Sequence, residues 1–550
     1  MIKRVIPLIL AASLFVISAC SGQSDSPNRH NGSDGMLDSA TIAGPFGKYP
    51  EPVEIRLGYT VDPSLKPMNG NSLENNPWRR EIKERLNIEM NVAWQVSKQN
   101  FDQKINLAIA SSDLPDAVIV NQDQLEEMVK AEEIEDLTKV YEKYASPEMK
   151  RIIDSTQGFA LDRVTYDGKM MAIPSVASKD FSMLWIRQDW LDRLGLTPPK
   201  TMAELKRVAK AFVEQDPDGN GLADTIGLAA STGLYNDFNI GSFAFDLTPI
   251  FSAYNAYPGY WIKDADGNLS YGSILPETKV ALANLREMYI EGLIDPELGS
   301  RKAPEDVVIN GKAGMFFQGF FGGYWPLPSA WKNDPNANWQ AYALPLDAKG
   351  KYNIKISNPS HSFLVVRKGY AYPEAAIKMN NLYLEDESRL GNEFMLIRNF
   401  FAPIDEAKFE TKAAQEVLAG TKNPEDFLDK PEYKLLKNTV KTIKKVKFEP
   451  YSNLAIQYWN QNDPSFMRAY SLLVGGRNFF DPDLNEILSL SYKRTKTAKE
   501  KWDELIKLEH EAFLKIIMGS APIDSFDQFV EDWKQRGGNQ IIEEMKQSIK

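Results

Sequence analysis

The 550-residue chain carries a net charge of −11, with 43% hydrophobic and 25% charged residues. Such proportions describe a water-soluble globular protein with length for about three to four ordinary units, and no basic stripe is present that would neutralise phosphates, which excludes a nucleic-acid partner. One cysteine, Cys20, excludes an internal disulfide, a CxxC redox pair and a thiolate metal site, while His30, His361 and His510 lack the i, i+4 pairing of a helix-borne zinc site.

Lys3 and Arg4 precede an apolar run from Val5 to Ile17 that is too short to span a bilayer comfortably, the layout of a secretory leader over residues 1–19. Ile17-Ser18-Ala19-Cys20 resembles the bacterial lipobox, whose cysteine is diacylated and becomes the mature N-terminus. Residues 20–50 are rich in Ser, Asp, Asn and Gly and read as a lipidated flexible tether. Alternation at Val53, Ile55, Leu57 and Tyr59 then predicts a strand. Asn76 and Pro77 open a helix. Ile88, Met90, Val92 and Trp94 alternate again, Phe101 to Ile109 is helical, and Ala117–Val120 reads as a buried strand. This alternation predicts an α/β lobe with a mainly parallel sheet, covered by helical segments at Leu125–Val129 and Lys139–Ile153. Tyr166-Asp167-Gly168-Lys169 is a hairpin turn.

The stretch from Leu184 to Leu228 carries the most information. Thr201 with Glu204 forms a capping box, and Leu205, Val208, Ala209 and Phe212 make one apolar helix face. The following loop sets Asp216, Asp218, Asn220, the Leu222 carbonyl and Asp224 at alternate positions, with Gly221 sixth. Hard oxygen ligands at this spacing suit Ca²⁺. Position 12 is Gly227, where an EF-hand has a bidentate glutamate, so the loop is not an EF-hand and needs a ligand from water or elsewhere. The alternative is a metal-free Asp/Gly turn. Asp264–Asn268 repeats the polar alternation, but its strand-like flanks make it a hairpin. In Phe316–Trp325, glycines bring the backbone close to a ligand, and Tyr324 and Trp325 present rings with polar tips that suit a sugar. Trp185, Trp261, Trp331 and Trp459 are further ligand candidates, and Arg187 and Asp189 could bond hydroxyls or form an ion pair. Trp190 and the Phe residues read as core, and His361 as structural. Pro359–Val366 ends in a buried strand, Tyr372–Ala376 opens a helix, and Asp481–Lys550 reads as helical with a break at Gly537-Gly538. No nucleophile elbow, HExxH motif or Cys/His arrangement is present, so no catalytic residue is assigned.

The leader, the tether and the strand-first lobe are followed by SSDLPDAVIV (Ser111 to Val120), YDGKMMAIP (Tyr166 to Pro174) and WIRQDWLDRLGLTPPKT (Trp185 to Thr201). Later come NGKAGMFF (Asn310 to Phe317), PEAAIKMNNLY (Pro373 to Tyr383) and FDQFVEDWKQRGGNQI (Phe526 to Ile541). In this order they resemble the extracellular solute-binding lipoproteins of bacterial carbohydrate ABC importers, in the calcium-loop branch to which alginate-binding proteins are similar. The resemblance implies an α/β, two-lobed periplasmic-binding-protein-like fold with a hinge, a ligand cleft and a helix-rich C-terminal part. Residues 51–173 plus 352–402 would form lobe I, and 174–351 plus 403–550 lobe II. It implies capture of an oligosaccharide, delivery to ABC permease subunits, structural calcium, a monomeric state and lipid anchoring at the outer face of the cell membrane. An exported polysaccharide-active enzyme using two carboxylates and a sensing lipoprotein coupled to a membrane kinase are the competing readings.

Overall fold

The computed structural model describes residues 44–61, 71–97, 100–235, 244–264, 266–390, 394–445 and 464–549. Cys20, the leader, most of the tether and Trp459 lie outside the described residues.

Three strands open the first body: β1 (Val53–Val61), β2 (Ile88–Ser97) and β3 (Ala117–Val120). The hairpin β4 (Thr165–Tyr166) and β5 (Lys169–Met170) turns where Asp167-Gly168 predicts it, and β6 (Ile173–Pro174) follows. The second body contains β7 (Met183–Arg187), β8 (Ile226–Ala229), the hairpin β9 (Trp261–Lys263) and β10 (Leu269–Tyr271), β11 (Ala313–Gln318), β12 (Trp339–Tyr342) and β13 (Tyr352–Ile356). The chain then returns to the first body through β14 (Phe363–Val366), and β15 (Leu484–Leu488) belongs to the second. The first sheet has the order β2-β1-β3-β14-β6 and the main sheet of the second body β12-β7-β11-β8. Each body closes on its own apolar interior. Residues from Tyr49 to Val176 and Phe363 to Phe401 form one cluster, and the residues between and after them form two others. This is the two-lobed α/β architecture that the strand–helix alternation and the resemblance imply.

Local chemistry explains most element ends. Asn76 caps the helix Pro77–Leu86 by accepting the Arg79 N–H at 3.0 Å, with Pro77 at its first position where no N–H is needed. The segment predicted helical over Lys139–Ile153 is two helices, Thr138–Tyr144 and Pro147–Asp154. Ser146 starts the second by accepting the Met149 N–H at 3.1 Å, and Pro147 cannot continue the first. Asp481–Lys550 is not all helical: β15 lies inside it and pairs in parallel with β13, from Tyr352↔Leu484 to Ile356↔Leu488. Gly537, with φ 136°, kinks the chain where the sequence places the break, between the helices Ser525–Trp533 and Asn539–Ser548. Gly538 makes room for the Trp533 ring, which would lie 2.1 Å from a Cβ there, and a new helix follows over Asn539–Ser548.

That pairing of β13 corrects the lobe boundary as well. Residues from 352 onward were expected in the first lobe, yet Tyr352, Ile354 and Ile356 are buried in the second. The Tyr352 phenol donates to the Ser182 carbonyl at 2.5 Å, so the return crossing comes after Ile356.

The helix Met202–Glu214 begins at the capping box, with the Glu204 N–H donating to Thr201 Oγ1 at 3.2 Å and the Thr201 N–H to Glu204 Oε2 at 3.1 Å. Leu205, Val208, Ala209 and Phe212 are all buried by this helix. It lies so close over β8 that a Cβ on Gly227 would stand 2.6 Å from the Leu293 carbonyl and 2.9 Å from the Ala209 Cβ. Position 12 of the oxygen-rich loop is therefore a packing glycine, and no side chain from it can reach a metal. Gly227→Ala should lower unfolding free energy by about 1–3 kcal/mol, read from the urea midpoint at constant slope.

Candidate functional site

In open α/β sheets ligands sit outside the carboxyl ends of the strands. In the first sheet β1 runs parallel to β2 and β3. β14 runs antiparallel to β3, with Phe363 opposite Val120, and β6 is antiparallel to β14. Both the end of β6 and the start of β14 thus lie at the carboxyl edge of β3. In the second sheet β8 and β11 are parallel, and the first residue of β7, Met183, pairs with Gln318 at the carboxyl end of β11. The connections therefore leave one carboxyl edge and enter the other. The two ligand-binding edges are turned towards one shared space.

Three crossings are stitched together along this space. The Ser175 N–H donates to Ser362 O at 2.8 Å, Val176 N–H to Phe400 O at 2.7 Å, Ala177 N–H to Pro359 O at 2.8 Å and Lys179 N–H to Ile404 O at 2.7 Å. Ser175 Oγ also accepts the N–H groups of His361 and Ser362 at 3.2 and 3.1 Å. Away from the hinge, the bodies meet through Lys499 on Glu126 and Asp123 (2.6 and 3.2 Å) and Arg151 on Glu432 (3.4 Å), with Phe159 edge-on to Tyr492. Part-exposed ion pairs of this kind contribute up to about 1 kcal/mol each. They leave the bodies free to be biased by a ligand.

On the first body, Gly58, Tyr59, Phe101, Ile119, Met395, Ile397 and Arg398 line a pocket of about 250 Å³ at the carboxyl edge. Gly58 is needed because Trp94 lies across it, 2.4 Å from where a Cβ would stand. Arg398 is already held by Glu387, which also takes Lys434 at 2.8 Å. Phe400 is exposed at the hinge.

On the second body, the wall is the segment after β11. Trp325 is 39% exposed and stands edge-on to Phe245 with ring centres 5.6 Å apart. Its carbonyl accepts from the Gln318 amide. Tyr324 is part-buried and faces Arg468, whose guanidinium is paired with the buried Glu410. Burial works against the charge on Arg468, and Glu410, Glu406 and Tyr324 together outweigh it, so the guanidinium stays ionised. Asp180, one residue past the hinge bonds, completes this wall: its Oδ1 accepts the N–H groups of Phe181 and Phe320 at 2.8 and 3.4 Å.

The tryptophans divide sharply. Trp185 is fully buried, stacked between Phe316 and Tyr470 with its indole N–H on the Gly319 carbonyl at 3.1 Å. A Cβ on Gly322 would lie 2.7 Å from its ring, so Trp185 is the reason for that glycine and has no surface for a ligand. Trp261 packs on Tyr271 and Trp331 edge-on to Tyr470, each 1% exposed. Arg187 is buried, forked onto Asp189 at 2.9 and 2.6 Å and onto Asp334 at 2.9 Å, over the Trp190 ring. Arg187 and Asp189 saturate one another and brace β7. Of the ligand candidates named from sequence, Trp325 is exposed and Tyr324 part-buried, on the segment at the carboxyl edge of the second sheet. Asp180, Tyr59, Phe101 and Phe400 carried no sequence signal, because only the crossing of the bodies brings them to the cleft.

The oxygen-rich loop lies apart from the cleft, at the end of the helix Met202–Glu214. Asp216 and Asp218 are near enough to share a hydrogen bond. Asn220 Nδ2 bridges Asp218 Oδ2 and Asp224 Oδ1 at 2.8 and 3.2 Å, and Lys312 stands 3.4 Å from Asp224. Carboxylates are thus gathered around an amide and an ammonium, and no ready cage of three or more His, Cys, Asp or Glu side chains is present among the described residues. Thr225 is turned inward, donating to the Phe212 carbonyl at 2.6 Å. The donor set is all oxygen and fits a hard cation once Asn220 turns its carbonyl inward.

Residues 71–389 match the model of the bacterial extracellular solute-binding protein family. The chain belongs to that family. It is a solute-binding protein of the extracytoplasmic space. It is 25% identical over 493 residues to the polygalacturonan/rhamnogalacturonan-binding protein YtcQ of Bacillus subtilis, covering 86% of this chain and 87% of that one. Its fold matches the alginate-binding protein AlgQ2 solved without calcium ion, with TM-score 0.59 and 18% identity over 91% of this chain and 98% of that one. It also matches an EF-hand mutant of the Streptococcus pneumoniae substrate-binding protein FusA in complex with fructo-nystose, with TM-score 0.58 and 16% identity over 90% and 98%.

The burial contrast sets an expectation for this solute-binding protein. Trp185→Ala should lower unfolding free energy by about 3–5 kcal/mol, while Trp325→Ala should lower it by less than about 1 kcal/mol, measured by urea denaturation without ligand.

Proposed function

We propose that this solute-binding protein captures an oligosaccharide between its two bodies and hands it to the permease of an ABC importer. The observation that carries this reading is Trp325, an exposed indole on the segment that follows the carboxyl end of β11. An indole offers its face to sugar C–H groups and its N–H to a hydroxyl. The names of YtcQ and FusA support the carbohydrate class, and the likeness to YtcQ extends over 86% of the chain. A bound sugar that touches both bodies favours the closed arrangement by its differential affinity, and the weak ion pairs across the opening leave that equilibrium adjustable. Cys20 would carry the diacylglyceryl anchor, with the following segment as its tether.

Calcium is part of the same proposal. Asp216, Asp218, Asn220, the Leu222 carbonyl and Asp224 would hold it, replacing the Asn220 amide and the Lys312 ammonium as the charge that gathers the carboxylates. Bound there, the ion supplies positive charge that pins the loop between the helix Met202–Glu214 and β8. It stands away from the cleft and takes no part in reading the sugar.

Neutral and acidic oligosaccharides at millimolar concentration should include members that raise the melting temperature by several degrees, with no new reducing ends formed. Trp325→Ala should weaken the binding at least about tenfold by calorimetry. Release of cleaved sugar would overturn the binding function. Removal of divalent ions with a chelator should lower the melting temperature, calcium but not magnesium should restore it, and Asp216→Ala should abolish the difference. An unchanged melting temperature would overturn the calcium site.

A further inference from the structure

Asp180 is placed where only one of its two carboxylate oxygens has a structural role. Its Oδ1 accepts the Phe181 and Phe320 N–H groups, but among the described residues Oδ2 receives no hydrogen bond. Oδ2 rests against Gly319, 2.3 Å from where a Cβ would stand, and the edge of the Phe321 ring comes within 2.5 Å of the same point. The carboxylate is thus lodged between a bare backbone and an aromatic ring, and no charged side chain among the described residues compensates it. Lys179, its neighbour in sequence, is turned away to Glu486 at 2.8 Å. Asp180 is half-buried, so its Oδ2 remains open to a donor from the cleft side, and burial pushes the carboxyl up to about 7 against the opposing Phe181 and Phe320 amides.

Its position is nevertheless firmly set. Phe181 is buried against Phe479 and Tyr352, with ring centres 5.2 and 6.1 Å away. Gly319 follows β11 directly, and the Trp185 indole holds its carbonyl. Asp180 therefore belongs to the rigid wall of the second body, at the point where the first crossing enters the cleft and in the same wall as Trp325. The group is preorganised, desolvated on one side and short of one donor.

We propose that Asp180 is a ligand-binding residue that accepts a hydroxyl of an uncharged sugar unit, and that it selects neutral oligosaccharides over uronates. The inference rests on the carbohydrate reading above and narrows it. A hydroxyl donating to Oδ2 forms a charge-assisted bond and supplies the missing partner. A uronate carboxylate in that position would set two like charges together in a poorly solvated space. The one arginine lining the pocket on the opposite wall, Arg398, is already neutralised by Glu387. Specificity for a hydroxyl arises because the analogue without a donor leaves the carboxylate unpaired.

The test measures binding of neutral gluco-, fructo- and galacto-oligosaccharides and of oligogalacturonides and alginate oligomers to the full chain and to Asp180→Asn, by calorimetry and melting shift. The wild type should prefer a neutral oligomer, and Asp180→Asn should weaken it about tenfold to a hundredfold, since the bond to a charged acceptor is lost. The variant keeps an oxygen for the Phe181 and Phe320 amides. An acid whose folded pKa is raised loses stability as pH rises from its unfolded value of 3.8 to its folded one of about 7, so the unliganded variant should gain in melting temperature over the wild type across that window and keep the gain at pH 8. Loss of affinity therefore cannot be blamed on a damaged fold, and the wild type's own preference between the two sugar classes stands independently of the variant. Wild-type binding of a uronate oligomer as tight as that of neutral ones, or unchanged affinity in Asp180→Asn, would overturn the proposal while leaving the carbohydrate function in place. A wild type that binds no sugar of either class would overturn both.

Discussion

The constraint on which this molecule depends is the stitching of three chain crossings at one edge. Backbone bonds from Ser175 to Lys179 reach both the return crossing, at Pro359 and Ser362, and the third, at Phe400 and Ile404. The first crossing leaves β6 and the return crossing enters β14 at the carboxyl edge of β3, so the geometry that joins the bodies also turns their carboxyl edges towards one another. A single linker would leave two independent domains. Three, paired laterally, restrict relative motion to a bend. The cleft is a consequence of the connections, and residues such as Asp180 acquire meaning from lying one step beyond them.

Behind that hinge, the second body is ordered by indoles packed against glycines. Trp185 lies flat under Gly322, Trp190 and Phe212 press on Gly314, and Trp533 fills the space at Gly538. In each pair a large ring and a missing side chain occupy one volume, which lets layers approach more closely than two ordinary residues permit. The glycine-rich turn after β11 illustrates the division of labour. Its inner side is moulded by Trp185 and by Ser471, while its outer side presents Trp325. Aromatic residues therefore serve both core and cleft within ten positions, and burial separates the two.

Charge is treated in two ways. Arg187 is forked onto Asp189, and Arg468 onto Glu410, so buried guanidiniums are matched by carboxylates within hydrogen-bond reach. Such pairs contribute little net stability but would be costly to break. Asp180 and the carboxylates of the 216–224 loop are unlike these. The first lacks a cation, and the second share one amide and one lysine among three acids.

Sequence alone determined whatever depends on neighbours a few residues apart. The Asn76 and Thr201 caps, the Asp167-Gly168 turn, the apolar face of the helix Met202–Glu214 and the oxygen spacing from Asp216 to Asp224 all join residues close in sequence; strand–helix alternation gave the α/β class, and the two lobes were what the family resemblance implied. Tertiary structure alone decided which aromatic rings are wall and which are core, because Trp185 and Trp325 differ only in what folds over them. It also decided that Leu484–Leu488 is a strand, since its only reason to extend is β13, over a hundred positions away in the chain. The same holds for Gly227, where the approach of Leu293 and Ala209 forbids the side chain that a metal loop would otherwise place there. Short-range hydrogen bonds leave a signature in residue spacing. Contacts between distant segments leave none until the chain has closed on itself.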